Sequence, residues 1–598
     1  MFQIFSKLYA LLNREERKRA KLVFLLMLGT AFLEMLGVAS IMPFVGVLAT
    51  PGIVESNEYL AAANQWLGFE EPRMFLIFLG SIVLLLFVFS LAFKALSAYV
   101  VLRFSNMRSH AFSYRLLCGY LSRPYSFFLQ CNTSDLNKTL FSEVSEVVNG
   151  GLVPSLRVVS GLIVSMMIVL LLLTIEPMLT LVVGFVLGGG FSLVYFLSRR
   201  YLQRIGLLRV ATNQQRFVLA NESLNGIKEL RLMGREYNYI KRFHDVSERF
   251  ANYQSISKAM GDIPNYAIQA IAFGGVLVLI LYLMGRYGGL EGALPLIALY
   301  AFAGYRLLPA FQDIFKNVTQ LRFYGAAIDV LHSELASVPN VDLMNFQDVG
   351  VGRLSGDLIL EKVCFQYVGA TSPALYNLSI NIPYGSSAAF VGTTGAGKST
   401  VVDLILGLLE PSSGSIRVGD QFLQGNSLKA WQRNIGYVPQ TIYLADASVA
   451  ENIAFGVPKA DIDMQAVERA ARAAHIHDFI VEQLPEGYRT HTGERGVRLS
   501  GGQRQRIGIA RALYHNPEVV VFDEATSALD NATEAAVMQA VNELRGEKTI
   551  ILIAHRLSTV ERCDTIFMLE HGRLCASGTY QELMADSDAF SRLASTNS

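Results

Sequence analysis

Charge is scarce in this sequence. Asp, Glu, Lys and Arg make up 17% of its 598 residues, where an ordinary soluble protein carries about 25%. With 52% hydrophobic residues and a mean hydropathy of +0.35, that scarcity excludes a disordered chain, which needs the opposite balance. Cysteine is scarce as well. Cys118, Cys131, Cys364, Cys563 and Cys575 form no Cys-x-x-Cys pair and no zinc-ligand spacing, so a disulfide scaffold is excluded and free thiols are expected. A collagen-like composition is also absent. Net charge is only +1, which leaves no basic excess for nucleic acid. The length corresponds to about four domains of roughly 150 residues. A chain this apolar must hide its surface in lipid or in an unusually large core.

The first half supplies the lipid-facing segments. Six apolar runs, near Leu22 to Leu48, Met74 to Leu102, Val153 to Leu173, Leu179 to Leu197, Ile263 to Met284 and Leu294 to Phe315, reach the roughly 20 residues a bilayer crossing requires. Basic residues set the orientation. Arg14, Arg17, Lys18, Arg19 and Lys21 precede the first run, Arg108, Arg115, Arg123 and Lys138 lie between the second and third, and twelve Lys or Arg residues fall between Arg199 and Lys258. The alternate connectors are nearly bare of basic residues: only Arg73 borders the first, Glu176 and Pro177 sit in the second, and Arg286 is in the third. Both termini and the second half are therefore expected in the cytoplasm of a multi-pass protein. No cleavable signal peptide is expected, because the first apolar run is too long for one. The Asn-x-Ser/Thr sequons, such as Asn132, Asn137, Asn221 and Asn317, fall on cytoplasmic or membrane segments and read as chance matches.

The two basic connectors are polar and poor in glycine and proline. They predict helices that continue far below the membrane and reverse at short bends, near Pro124 to Asp135 and Asn221 to Glu236, with most of their charges on solvated faces. The connector Pro51 to Pro72 carries Tyr59, Leu60, Trp66, Leu67 and Phe69 and fits either an interfacial helix or a plain external loop. Ionisable groups at membrane depth are functional candidates. Glu34 and Arg306 each stand about 12 residues, ~18 Å, into a run, and Lys94 and Arg103 lie near the inner end of the second. Arg306, Arg103 and Glu34 are candidate substrate residues. A structural Glu34–Arg306 ion pair, with Lys94 and Arg103 snorkelling, is the alternative.

After Arg322 the apolar runs end. Residues 1–332 read as the membrane domain, 333–356 as a linker with Pro339 and several glycines, and 357–598 as an α/β domain of short strands and amphipathic helices. Gly392-Thr-Thr-Gly-Ala-Gly-Lys-Ser-Thr400 matches G-x-x-x-x-G-K-[ST] between an apolar run and a helical segment. Its glycines let backbone amides wrap phosphates at a helix N-terminus, Lys398 is suited to the β- and γ-phosphates, and Ser399 to Mg²⁺. Val519-Val-Val-Phe-Asp523-Glu524 is an apolar strand ending in two carboxylates. Asp523 is the metal candidate and Glu524 the group that orients the attacking water.

Leu499-Ser-Gly-Gly-Gln503, about 20 residues earlier, completes a set that resembles the ATPase of ABC transporters. Gln440 in Tyr437-Val-Pro-Gln440 resembles the Q-loop, Ser527-Ala-Leu-Asp530 the D-loop, His555 in Ala554-His-Arg556 the switch histidine, and Tyr367 the aromatic that stacks on adenine. Thr492-Gly-Glu-Arg-Gly496 resembles the exporter X-loop. The resemblance implies Glu524, His555 and Gln440 as catalytic residues. It also implies that ATP is bound by Tyr367, Gly392, Thr393, Thr394, Gly395, Ala396, Gly397, Lys398, Ser399, Thr400 and, from a second copy, Ser500, Gly501, Gly502, Gln503 and Asp530. Mg²⁺ falls to Ser399, Gln440 and Asp523. One membrane domain and one ATPase domain imply a half-transporter, and intact motifs imply a homodimer with composite ATP sites, the cytoplasmic bends coupling it to transport. Glu34-Met-Leu-Gly-Val-Ala-Ser-Ile-Met-Pro-Phe44, Tyr305-Arg306-Leu-Leu-Pro309 and the stretch Glu229 to Glu236 resemble bacterial inner-membrane flippases of lipid-linked oligosaccharides, which implies a polyprenyl-pyrophosphate glycolipid as substrate. A multidrug or lipid exporter of the same architecture is the alternative.

Overall fold

The structure is a computed structural model. It describes residues 2–50, 52, 54, 58–67, 69, 72–287, 290–338, 354–493, 496–524, 538, 539, 541, 543–554 and 556–596. The chain divides into two compact units, Met1–Arg123 with Gln130–Asn345, and Pro124–Leu129 with Phe346–Ser598.

Among the described residues, every regular element of the first unit is a helix. Helix Phe2–Ala10 leads into Arg14–Ala39, whose start is fixed by a reciprocal cap between Asn13 and Glu16. The helix breaks at Ser40 and resumes as Ile41–Ala49. Pro43 accounts for the break, since it cannot donate to the carbonyl of Ala39 four residues back. Long helices follow: Pro72–Leu121 (50 residues), Pro177–Asn225 (49 residues) and Glu236–Tyr287 (52 residues). Each is about 75 Å long at 1.5 Å per residue, more than twice the ~30 Å hydrocarbon core. The chain reverses through the short helices Tyr125–Phe128 and Ile227–Met233. Gly234 closes the second in the left-handed conformation (φ +61). Helix Leu290–Phe323 is the last long one. Among the described residues, Arg14–Ala49, Arg73–Leu121 and Thr133–Ile175 are long and apolar enough to cross a membrane. Only 11% of the apolar window in the second of these is buried, so its side chains face outward as lipid requires.

The structure bears on three sequence expectations. The basic connector residues are not all solvated. Arg108 and Arg209 are buried, Arg108 against Glu16 (2.5 Å) and Arg209 against Glu143 and Glu146. The linker does not begin at 333, because helix Gly325–Ser337 continues past it and seats Ala327, Ile328 and Leu331 in the core. The remainder of that linker, 339–353, lies outside the described residues. The external connector is not a plain loop over its middle. Helix Glu58–Leu67 packs Leu60, Ala63 and Leu67 beside Val47, Val54 and Phe75, leaving Tyr59 and Trp66 exposed.

The second unit holds two sheets. β1 (Leu358–Phe365), β2 (Leu375–Ile382), β4 (Ser413–Val418) and β5 (Gln421–Phe422) form an antiparallel sheet in the order β2-β1-β4-β5. β3 (Ser387–Val391), β6 (Ile435–Val438), β7 (Val519–Asp523), β8 (Thr549–Ile553), β9 (Thr565–Glu570) and β10 (Arg573–Gly578) form the other, in the order β10-β9-β3-β8-β7-β6. Pairing from β9 to β6 is parallel. β3 and β8 are buried at every position, because both faces are covered. Ala389, Ile550, Leu552 and Phe522 enter one core, and Ala388, Phe390, Ile551 and Val521 the other. All five cysteines are free thiols.

Helix–helix approach in the first unit leaves no room at Gly206. A methyl there would lie 2.1 Å from the Phe323 carbonyl oxygen, whereas Gly184 faces open space. Gly206→Ala is expected to destabilise the protein by about 1–3 kcal/mol through overpacking. It should lower the thermal midpoint of the detergent-solubilised chain, while Gly184→Ala leaves that midpoint unchanged.

Candidate functional site

The parallel sheet collects the candidate ATP-site residues at the carboxyl ends of its strands, where ligands bind in open α/β sheets. The phosphate loop follows β3, Gln440 follows β6 by two residues, and Asp523 and Glu524 end β7. His555 would follow β8, but it lies outside the described residues, as does Asp530.

The loop from Gly392 to Gly397 needs glycine for two reasons. Gly392, Gly395 and Gly397 have φ values of +146, +81 and +102, which side chains rarely adopt. In addition, a methyl on Gly392 would stand 2.2 Å from the Leu569 carbonyl oxygen, and one on Gly397 2.7 Å from Leu375. Thr393, Thr394 and Gly395 are exposed, whereas Ala396 is buried. The loop runs into helix Lys398–Ile405, so its amides and the positive helix end converge on one space. Lys398 Nζ donates to the carbonyls of Gly392 (2.8 Å) and Thr393 (3.1 Å). Burial lowers the pKa of its ammonium, against the opposing pull of Glu524 and Asp523. Ser399 is exposed beside the loop, and Thr400 is buried with its hydroxyl 3.0 Å from that of Tyr367. The Tyr367 ring is further held by an edge contact with Phe365.

The two carboxylates are brought to the other candidates. Gln440 Nε2 donates to Glu524 Oε2 at 2.6 Å. Glu524 itself sits at φ +49, a rare conformation for a non-glycine residue and one that clusters at functional positions. Tyr437 donates its phenol hydrogen to Asp523 at 3.2 Å, and burial followed by the Asp523 charge raises its pKa. Among the described residues no group of three His, Cys, Asp or Glu side chains could hold a metal. A hydroxyl, an amide and one carboxylate (Ser399, Gln440, Asp523) instead suit Mg²⁺, which takes few protein oxygens and completes its shell with water and phosphate.

The signature segment stands at the head of helix Gly501–Leu513. Ser500 and Gln503 cap it reciprocally (2.8 and 3.3 Å), leaving Gly501 exposed and Gly502 half-buried. Arg504 holds the preceding loop through the carbonyls of Leu499 and Gly496. Of the X-loop resemblance, Thr492 is bonded to Asn452 and to the carbonyls of Ala445 and Ala447. Glu494 and Arg495 lie outside the described residues.

Two residues near the site were missed by sequence reasoning. Asp403 stands in the helix behind the phosphate loop, where burial and then the Asp523 charge push its carboxyl up to about 6. A carboxylate five residues after Lys398, on a helix that must pack on a sheet, was the available signal. Tyr125, in the short helix Tyr125–Phe128, belongs to the ATPase unit by contact. Burial, then Asp403 and Tyr367, raises its pKa. No local pattern announces that residue.

In the membrane domain the structure gathers three of the four candidate charges. Glu34 is buried, with Lys94 Nζ at 2.8 Å and Arg306 Nη1 at 3.8 Å from its Oε1. Arg306 also lies over the Phe87 ring, 5.0 Å from its centroid. The Lys94 side chain is 54% exposed and that of Arg306 9%, so the cluster is closed on one side and open at the lysine. Arg103 is exposed and stands outside this cluster.

Because its methyl would strike backbone, Gly392→Ala is expected to weaken nucleotide binding about tenfold or more, ~1.4 kcal/mol. Titration with a fluorescent ATP analogue measures it.

The comparisons with known proteins agree with this geometry. A family model described as the ABC transporter transmembrane region matches residues 23–288, and one described as ABC transporter matches 375–527. An ATP-dependent lipid A-core flippase of Cupriavidus pinatubonensis is 30% identical over 500 residues, covering 83% of this chain and 84% of the relative. That of Saccharophagus degradans is 33% identical over 497 residues, covering 82% and 81%. The fold matches that of a bacterial Atm1-family ABC exporter solved with ATP bound, at a TM-score of 0.76 and 23% identity, over 98% of this chain and 99% of that one. The chain belongs to the ABC transporters as an exporter-type half-transporter, a transmembrane region followed by an ATPase domain that couples ATP hydrolysis to transport.

Proposed function

We propose that two copies of this chain form a flippase in a bacterial inner membrane. It carries a glycolipid with a phosphate-linked head, polyprenyl-pyrophosphate-linked oligosaccharide, from the cytoplasmic to the outer leaflet. The observation that carries the reading is the Lys94–Glu34–Arg306 cluster in membrane helices. A glycan cannot cross lipid unaided, since each unpaired hydroxyl costs about 2 kcal/mol or more to desolvate. A diphosphate adds charge that Lys94 and Arg306 can receive by charge-assisted bonds. The lipid tail stays in the bilayer. A multidrug cavity has no need of two cations at that depth. A second reading, a lipid A-core type of phosphoglycolipid, is favoured by the relatives at 30–33% identity that carry that name, and the same cations would serve its phosphates.

In this reading the loop amides from Gly392 to Gly397 cradle the phosphates, Lys398 neutralises them, and Tyr367 stacks on the base. Ser399, Gln440 and Asp523 would hold Mg²⁺, which supplies charge neutralisation at the transferred phosphoryl group. Glu524 orients and polarises the attacking water, Gln440 positions Glu524, and His555 contacts the terminal phosphate. Ser500, Gly501, Gly502, Gln503 and Asp530 serve the site of the second copy. The turn Ile227–Met233 exposes Leu232 and Met233, apolar side chains suited to a partner surface, and it couples that partner's ATPase to the helices. Nucleotide-driven closure then rocks the membrane helices between two states.

The test is reconstitution of this protein alone. Labelled polyprenyl-pyrophosphate oligosaccharide should change leaflet with ATP and stay without it. Glu524→Gln is expected to lower ATPase activity by about 10²–10⁴-fold and to abolish movement. Arg306→Ala should remove substrate-stimulated ATPase while basal hydrolysis persists. Movement of a lipid A-core glycolipid, with none of the polyprenyl substrate, would select the second reading.

A further inference from the structure

Arg209 is a fully buried charge in the first unit, with its side chain 0% exposed. Glu143, also 0% exposed, lies 3.5 Å away, and Glu146 is in direct contact. The guanidinium lies over Tyr324, 4.9 Å from the ring centroid, and beside Phe323 at 5.7 Å. Asn213 extends the group from Arg209's own helix, donating to Glu143 (3.4 Å) and Ser142 (3.1 Å). Burial pulls the Arg209 pKa below its ordinary value, opposed first by Glu143 and then by Tyr324.

Stability alone does not call for such a group. Well-packed apolar side chains of the same volume would serve as well or better, and buried ion pairs are best attested where they fix a register. The backbone here is arranged for register. Two π-helical segments, Lys138–Glu143 and Val148–Leu152, flank the turn Val144–Val147. Such widened turns recur at functional positions. Close packing brackets the cluster on both sides. A methyl on Gly206 would strike the Phe323 carbonyl oxygen at 2.1 Å, and one on Gly150 the Tyr324 ring at 2.2 Å.

The three elements that meet at Arg209 are three of the five routes along the chain between turns, membrane and ATPase domain, the other two being Pro72–Leu121 and Glu236–Tyr287. Glu143 and Glu146 lie between the first turn, Tyr125–Phe128, and the helix Val153–Ile175. Arg209 lies on Pro177–Asn225, which runs to the second turn. Phe323 and Tyr324 mark the joint between Leu290–Phe323 and Gly325–Ser337, the last helix before the ATPase domain. We propose that Arg209, Glu143, Glu146 and Tyr324 form a positioning cluster. It clamps these three routes into one body, so that movement imposed at the turns by nucleotide reaches the membrane helices undivided. The proposal rests on the coupling of ATP hydrolysis to transport and not on which lipid is carried.

The test separates clamping from stability. Arg209→Met, Glu143→Met and Glu146→Met together remove every charge while keeping volume, so the full-length chain should still fold. A spin label on Thr174→Cys, exposed at the end of helix Val153–Ile175, in a background lacking the five native cysteines, reports the distance between two copies in nanodiscs. The parent chain, measured with and without ATP, Mg²⁺ and vanadate, reports the two-copy assembly independently. The expected result is basal ATPase within about twofold of the parent and a vanadate-induced distance change cut by more than half. Arg209→Lys, which keeps the charge, should retain most of that change. A full distance change in the triple variant overturns the proposal, and so does loss of ATPase and distance change together.

Discussion

A lipid interior offers no water to a peptide group, and the architecture of the first unit follows from that constraint. Every backbone donor and acceptor at membrane depth must be paired within its own segment, so the apolar runs become helices. Once helical, they have little reason to stop at the membrane surface where breakers are few, and Glu236–Tyr287 continues even through Pro264. Pro72–Leu121, Pro177–Asn225 and Glu236–Tyr287 therefore run on as single elements. Their length sets the turns well away from the bilayer. The same constraint makes charge at depth costly, and Glu34 appears there only with Lys94 and Arg306 beside it.

The ATPase unit obeys a different rule. Its central strands are covered on both faces and carry no polar side chains that could do chemistry in their interiors. Chemistry is confined to the strand ends, where β3, β8, β7 and β6 finish side by side through parallel pairing. The bond between Gln440 and Glu524 and that between Tyr437 and Asp523 are consequences of that register. A one-residue slip of β6 against β7 would turn these partners to opposite faces. The hydrolytic machinery is thus as exact as the hydrogen-bond ladder beneath it.

Burial of charge links the two rules. Glu16 with Arg108, and Glu143 with Arg209, stand where helices cross in the first unit. Desolvation makes such pairs poor sources of net stability and intolerant of misalignment. That intolerance is what a transmitting element requires.

The sequence by itself determined the elements with a local cause. Apolar length marked the membrane helices, because lipid thickness sets their size. The phosphate loop was legible because glycines, Lys398 and Ser399 act within one turn of chain. Asp523 and Glu524 were legible because an apolar strand that ends in charge must emerge there. Only the tertiary structure decided which charges are hidden. Arg108 and Arg209 read as two more members of a basic connector, and Arg103 stood beside Arg306 as a candidate substrate residue. Burial depends on what segments far along the chain place opposite each residue. Glu16 lies far from Arg108 in sequence, and Tyr324 farther still from Arg209. Helical periodicity says which residues share a face, but not which faces meet, because that is settled by packing and desolvation across the whole bundle.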